Sequence, residues 1–379
     1  MKLNLGLCAA ALALASCGKS SSPPSPTEPR PVESAPGVTP LRPTADHKIE
    51  LVGGQLVDGK LVLFTEHTSD GNTWGEIHGF DGKRAVWSRR GVGLAGPSPI
   101  AIDRDAKTIT VLDGSGKATR TVPLPAIPGD LAWARAGDRL YAIRTSDANV
   151  ISFELGAAAA PVEVHHTGRF EVGHSTLIPN FAHALADGVW VPCNPDGGYH
   201  GLCRAPATGG AIGPILQAPV RDAAATADKL FVASNAGLTA YTSAGLQVWN
   251  VPPPKDHWIT RVVASGPIVA VDSETGGKDD RTYRIAIHDA ATGAERWHRD
   301  TSYGTELAAI DDRVAYRRTS GITVVDGNGK DLGTIPLESK VAVTTEFVGS
   351  FGEILHGDLV IAGRYLAVMR DSGLEIHEL

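Results

Sequence analysis

The sequence predicts an all-β fold, and within that class a β-propeller of eight four-stranded blades, with seven blades as the alternative. Three observations carry the prediction. First, a short motif recurs: Ile285 to Trp297, IAIHDAATGAERW, reads as an alternating strand, a polar turn ending in Gly293, and a second strand carrying Trp297. Second, the turn glycine has counterparts at Gly82, Gly116, Gly209, Gly245 and Gly329, with Ala157 standing where one is missing, so the unit returns about every 41 residues. Third, the chain holds 43 Gly, 25 Pro and seven Trp and has few long helical stretches, which favours many turns and an all-β chain over an α/β enzyme.

Taken in order, the copies are Ile77 to Trp87 (IHGFDGKRAVW), Ile109 to Val122 (ITVLDGSGKATRTV), Leu238 to Trp249 (LTAYTSAGLQVW) and Ile322 to Ile335 (ITVVDGNGKDLGTI), with looser ones at Val150 to Val164 and Gly201 to Ile212. A further apolar strand precedes each: Leu61 to Thr65, Leu140 to Ile143, Val189 to Cys193, Leu230 to Ala233, Ile268 to Val271 and Val314 to Tyr316. About four strands in ~40 residues is the size of a propeller blade, a unit that buries its faces only by stacking on neighbours. The last unit, Glu353 to Leu379, supplies strand-like pieces at Leu359 to Ile361, Tyr365 to Met369 and Leu374 to Ile376, and the chain ends before a fourth. An N-terminal strand, His47 to Val52, is therefore expected to complete that blade and close the ring.

The N-terminal segment is of another kind. Residues 1–17 combine Lys2, an apolar run from Leu3 to Ala15 and the ending Leu14-Ala15-Ser16-Cys17, which marks a signal peptide too short to span a membrane. That ending resembles the bacterial lipobox, so Cys17 is expected to become the lipid-modified first residue of the mature chain. Gly18 rather than Asp follows it, which under the sorting rule of many Gram-negative lipoproteins implies the outer membrane of the cell envelope. From 18 to 46 the chain has eight prolines and almost no large apolar side chains, so it is expected to stay disordered, a tether reaching up to ~90 Å at roughly 3.1 Å per residue. The propeller is then residues 47–379. A net charge of −7 without a basic stripe argues against nucleic acid.

The form D-x-x-T-G-x-x-x-W in Asp289 to Trp297 resembles the repeat of the pyrroloquinoline-quinone-like (PQQ-like) propellers. Its Trp is kept at Trp87, Trp249 and Trp297, and an Asp-Gly turn at Asp81-Gly82, Asp113-Gly114 and Asp326-Gly327. The resemblance implies that the Trp docks between neighbouring blades while the Gly turns the hairpin. It also implies the address and blade count of the eight-bladed outer-membrane lipoprotein of that family, a scaffold in β-barrel assembly. The quinone dehydrogenases of the family use vicinal cysteines, which this chain lacks, so no quinone and no other cofactor is expected.

Residues that could carry chemistry are scattered. His165, His166, His174, His183 and His200 fall in one stretch, the longest interruption of the repeat, and form the candidate binding loop. No H-x-x-x-H or C-x-x-C spacing accompanies them, so no metal site is expected. Cys193 and Cys203 flank the turn Asn194 to Gly198 and are expected to form a disulfide once the chain is exported. Asp272, Glu274, Asp279 and Asp280 read as an acidic hairpin tip, and Thr68 to Trp74 (TSDGNTW) as a turn. No G-x-S-x-G, Walker loop or paired-carboxylate signature occurs, so no catalytic residue is named. The expected function is a membrane-anchored, non-enzymatic propeller that holds a protein partner. The alternatives are a lyase or glycan hydrolase with a site at the mouth of the axial channel, and a ligand sensor.

Overall fold

Strands form where the sequence alternates, and turns form where Gly and Asp interrupt the alternation. The computed structural model describes residues 34–379, apart from 39, 128, 130, 145–149, 157–162, 168–181, 194–200, 217–219, 277–280, 302–306, 319–320, 337–358 and 371. The expected signal peptide, Cys17 and the first part of the tether lie outside the described residues. The described chain is all strand and turn, arranged as eight antiparallel sheets in chain order. They are blade 1 (47–90), blade 2 (92–123), blade 3 (131–167), blade 4 (183–216), blade 5 (220–251), blade 6 (257–301), blade 7 (307–336) and blade 8 (359–378). Six are four-stranded. Blade 3 gains a fifth strand, Gly210–Ala211, in parallel with His166 and Thr167, and blade 8 has three, Leu359–Ala362, Tyr365–Arg370 and Gly373–Glu378.

The ring is read from its cores. Among the described residues eight apolar clusters occur, and each is shared by two consecutive blades: Phe64 and Ile77 of blade 1 meet Ala101 of blade 2, and so on round to Ile322 and Val324 of blade 7 with Leu366 of blade 8. The eighth closes the circle, since Leu51, Leu61 and Leu63 of blade 1 pack with Ala367, Met369 and Leu374 of blade 8. Eight blades, rather than seven, make the β-propeller.

The recurrent motif works as a docking device. Trp297 of blade 6 lies flat on Gly329 of blade 7, where an added Cβ would come 2.0 Å from the indole Cδ1. Trp249 meets Gly293 and Trp87 meets Gly116 in the same way, each donating its indole N–H across to the next blade, at Ala290 and Gly114. In blade 4, Ile215 takes the place of the Trp against Gly245. Gly329 also has φ +80°, in the left-handed region that a side chain resists. The Asp at the head of each turn caps it: Asp289 Oδ1 accepts the backbone N–H groups of Ala291 and Thr292, and Asp326 Oδ1 those of Asn328 and Lys330. Arg296 and Thr292 hold the Asp289 carboxyl down to about 2.

The seam differs from the expectation in two respects. His47–Val57 does not complete blade 8 but is the first strand of blade 1, paired with Lys60–Ser69 at ten positions, Gly53 and Gly54 among them. Closure comes from the segment just before it. The Ala35 N–H donates to the Ala85 carbonyl on the outer strand of blade 1, and the Leu374 N–H of blade 8 donates to the Leu41 carbonyl, both at 2.9 Å. Leu41 is buried in the seam cluster with Val38 against it. The strap, described over residues 34–38 and 40–46, thus belongs to the ring rather than to the tether, because Val38 and Leu41 are apolar enough to repay ordering.

Gly82, the turn glycine of blade 1, faces no indole: among the described residues nothing lies within 4 Å of a Cβ placed there. Gly329→Ala should therefore cost about 2–4 kcal/mol, combining backbone strain with overpacking against Trp297, and Gly82→Ala only about 1 kcal/mol. Denaturant unfolding of the two variants checks this. Equal losses would show that the indole does not set the size of the effect.

Candidate functional site

In each antiparallel blade the first strand begins, the second ends and the third begins on one face of the ring, here called the upper face. Blade 1 gathers its titratable side chains there. His47 opens the first strand, Thr65 and His67 lie near the end of the second, Lys60–Ser69, and Trp74, Glu76 and His78 lie in the third, Asn72–Asp81. Spacing by two keeps Thr65 with His67, and Trp74, Glu76 and His78 together, on one side of the sheet. The register sets Thr65 opposite Glu76, His67 opposite Trp74 and Ile49, and His78 opposite Leu63. Ile49 and Leu63 belong to the seam cluster, so the polar group continues that cluster upward between blades 1 and 8. The hairpin that joins the strands turns at Asp70 and Gly71, φ 51° and 75°, as read from TSDGNTW.

The geometry is close. Thr65 Oγ1 is 2.8 Å from His67 Nε2 and 3.1 Å from His78 Nε2, and it donates to the Glu76 carbonyl at 3.3 Å. His67 Nδ1 faces His47 Nε2 at 3.0 Å. The Trp74 indole N–H donates to Glu76 Oε1 at 3.0 Å, leaving Oε2 3.6 Å from His78 Nε2. The Trp74 ring stacks on His67 and His47, and the Arg90 guanidinium lies over it, 5.5 Å from the centroid. His67 and His78 are 0% exposed and Glu76 8%. Burial holds the imidazoles in their neutral form, pushing His67 down to about 4 against the pull of Glu76, and His78 to about 3. Two buried atoms, Glu76 Oε2 and His78 Nδ1, have no hydrogen-bond partner. One donor atom each from His67, Glu76 and His78 lies within 4.8 Å of the others, the one such trio among the described residues.

This is the arrangement that linear spacing missed, because its donors sit across a hairpin rather than along a helix. The signal that could have found it is the alternation itself, which puts titratable residues at the same end of three consecutive strands.

The residues singled out from sequence are dispersed by comparison. His174 and His200 lie outside the described residues. His165 and His166 are in the fourth strand of blade 3, and His166 pairs through its backbone with Gly210. His183 begins blade 4 opposite Trp190, and its ring hydrogen-bonds the Ala223 backbone of blade 5. Cys193 and Cys203 form the expected disulfide, with Cα atoms 5.6 Å apart. The two lie on a diagonal, since Cys193 pairs with Gly201 and Cys203 with Val191. The acidic tip is corrected: Asp272 and Glu274 are within the strand Ile268–Thr275, Asp272 is buried, and Glu274 accepts the Trp258 indole N–H at 2.8 Å and pairs with Arg281. Asp279 and Asp280 lie outside the described residues.

Burial pushes the His183 ring down to about 4. A depressed histidine favours the fold while it is neutral, so its contribution is complete above about pH 6.5 and is lost as pH falls through 4. Thermal melts across that window should show a falling midpoint, and His183→Gln should shallow the fall. An unchanged slope in the variant would assign the acid sensitivity elsewhere.

Among solved structures, the chain is similar to apo AztD from Citrobacter koseri, at 11% identity over 85% of this chain and 88% of that one, with a TM-score of 0.49. It is also similar to the Neurospora crassa Pan2 WD40 domain (9% identity, 86% and 88% covered, TM-score 0.45) and to Kuenenia stuttgartiensis hydrazine synthase (10% identity, 74% and 92% covered, TM-score 0.44). No family model matches the chain, and no curated protein matches its sequence. The propeller fold stands on the chain's own eight sheets.

Proposed function

We propose that the chain is a non-enzymatic binding propeller of the bacterial cell envelope, held at the outer membrane by lipid on Cys17 and a Pro-rich tether, and that it grips a protein partner on its upper face. The observation that carries this reading is the uneven length of the links between blades. From Arg90 to Val92, Val251 to His257 and Thr301 to Leu307 the links are short, as ring geometry requires. From Thr167 to His183 and from Pro336 to Leu359 they are several-fold longer. Both long links leave and re-enter on the upper face, and the one from Thr167 to His183 enters blade 4, which carries the disulfide. Long connections on a rigid scaffold are where recognition resides. The Trp-on-Gly docking supports the PQQ-like resemblance and, through it, the scaffold role. The lyase or hydrolase alternative needs acid and base groups converging from several blades, whereas the blade 1 cluster comes from one.

Crosslinking in intact cells followed by mass spectrometry tests the reading. Deleting residues 168–181 should abolish capture of the partner with little change in the melting temperature, and Cys17→Ala should move the folded protein from the membrane to the soluble fraction. Capture that survives the deletion would remove the proposed contact. A Cys17→Ala protein that still pellets with membranes would remove the lipid.

A further inference from the structure

We propose that His67, Glu76 and His78 bind one divalent transition-metal ion, of the kind that accepts imidazole together with carboxylate, at the seam between blade 8 and blade 1. The site does not depend on the partner reading above. Two neutral imidazoles and one carboxylate make a nitrogen-rich donor set suited to Zn²⁺, Co²⁺ or Ni²⁺, whereas Mg²⁺ and Ca²⁺ take oxygen. Ligands about one tetrahedral ion with bonds of 2.0–2.1 Å stand ~3.3 Å apart. Glu76 Oε2 and His78 Nε2 are already 3.6 Å apart, and one donor atom from each of the three residues lies within 4.8 Å of the others. All three ride on two hydrogen-bonded strands, so little rearrangement is needed to bring the three donors onto one ion.

The surroundings fit the same purpose. Glu76 Oε2 is a buried oxygen with no donor directed at it, which an ion would satisfy. Trp74 holds the other carboxylate oxygen, and His47 faces Nδ1 of His67, so Glu76 and His67 are oriented from behind as metal ligands commonly are. An ion on His67 Nε2 requires the ring proton on Nδ1, where His47 Nε2 can accept it. Thr65 Oγ1, within 3.1 Å of both Nε2 atoms, would give up those contacts and stand beside the fourth position, open to its own oxygen or to water. Because the trio continues the seam cluster, an ion bound only by the folded ring favours closure by mass action.

The test uses the full chain, stripped with a chelator and titrated with Zn²⁺ by calorimetry and equilibrium dialysis. One ion per chain is expected, with the melting temperature rising by several degrees as Zn²⁺ is added and Trp74 fluorescence changing in step. His67→Gln or His78→Gln should weaken binding at least ~100-fold and abolish the rise in melting temperature, and Glu76→Gln, which keeps the shape of the side chain, should weaken it by about 10–100-fold. Co²⁺ bound to the wild-type chain should give the intense visible bands of a four- or five-coordinate nitrogen-oxygen site, a readout that survives even if a variant does not fold. Absence of Zn²⁺ binding at about 100 μM, a weak six-coordinate Co²⁺ spectrum, or equal affinity in wild type and the histidine variants would overturn the proposal. The last outcome would place the ion on other histidines.

Discussion

A four-stranded antiparallel sheet has two faces and no interior of its own, and in this chain both faces of each blade are apolar. Burial can therefore come only from the blade before and the blade after. Tyr141 serves the side of blade 3 turned to blade 4, while its sequence neighbours Leu140 and Ala142 serve the side turned to blade 2, and this division by alternation is repeated in every unit. The condition propagates until the last face meets the first. A chain of such sheets is either a ring or it leaves two apolar faces in water, and blades 1 and 8 are the pair that settle the matter.

The packing between blades is fixed in angle as well as in area. An indole laid on a glycine turn has no room to slide, since side-chain atoms would occupy the space as soon as the glycine moved. The Asp cap holds that turn in shape from within. Together they convert a general preference for burial into a repeatable step from one blade to the next, at Trp87, Trp249 and Trp297. Where the indole is absent, as at Ile215, a branched aliphatic side chain fills the same place.

Much of this was legible because the determinants are local. The period, the turn glycines and the strand count are written in consecutive residues, and the disulfide needed only two cysteines either side of a turn. The seam was not legible, because Leu41 sits in a Pro-rich stretch whose composition says tether and whose burial depends on Leu374, far along the chain. For the same reason the trio in blade 1 was not legible. Of the histidines close in sequence, His165 and His166 fall in blade 3 and His183 in blade 4, whereas His67 and His78, with Glu76, meet only once the register of a hairpin is known. Local patterns predict elements, but they do not predict which side chains a register brings face to face.

The strap at the seam gives the ring a mechanical polarity. Ala35 is bonded to blade 1 and Leu41 to blade 8, so the chain entering from the N-terminal side is sewn across the only boundary that no covalent blade-to-blade link spans. A load carried by that entering chain would reach the ring at this boundary, first at Ala35 and Ala85. Its direction there decides whether it draws blades 1 and 8 together or peels the strap away. Under the proposed anchorage through Cys17, the point of attachment and the closure of the ring would fall in the same place.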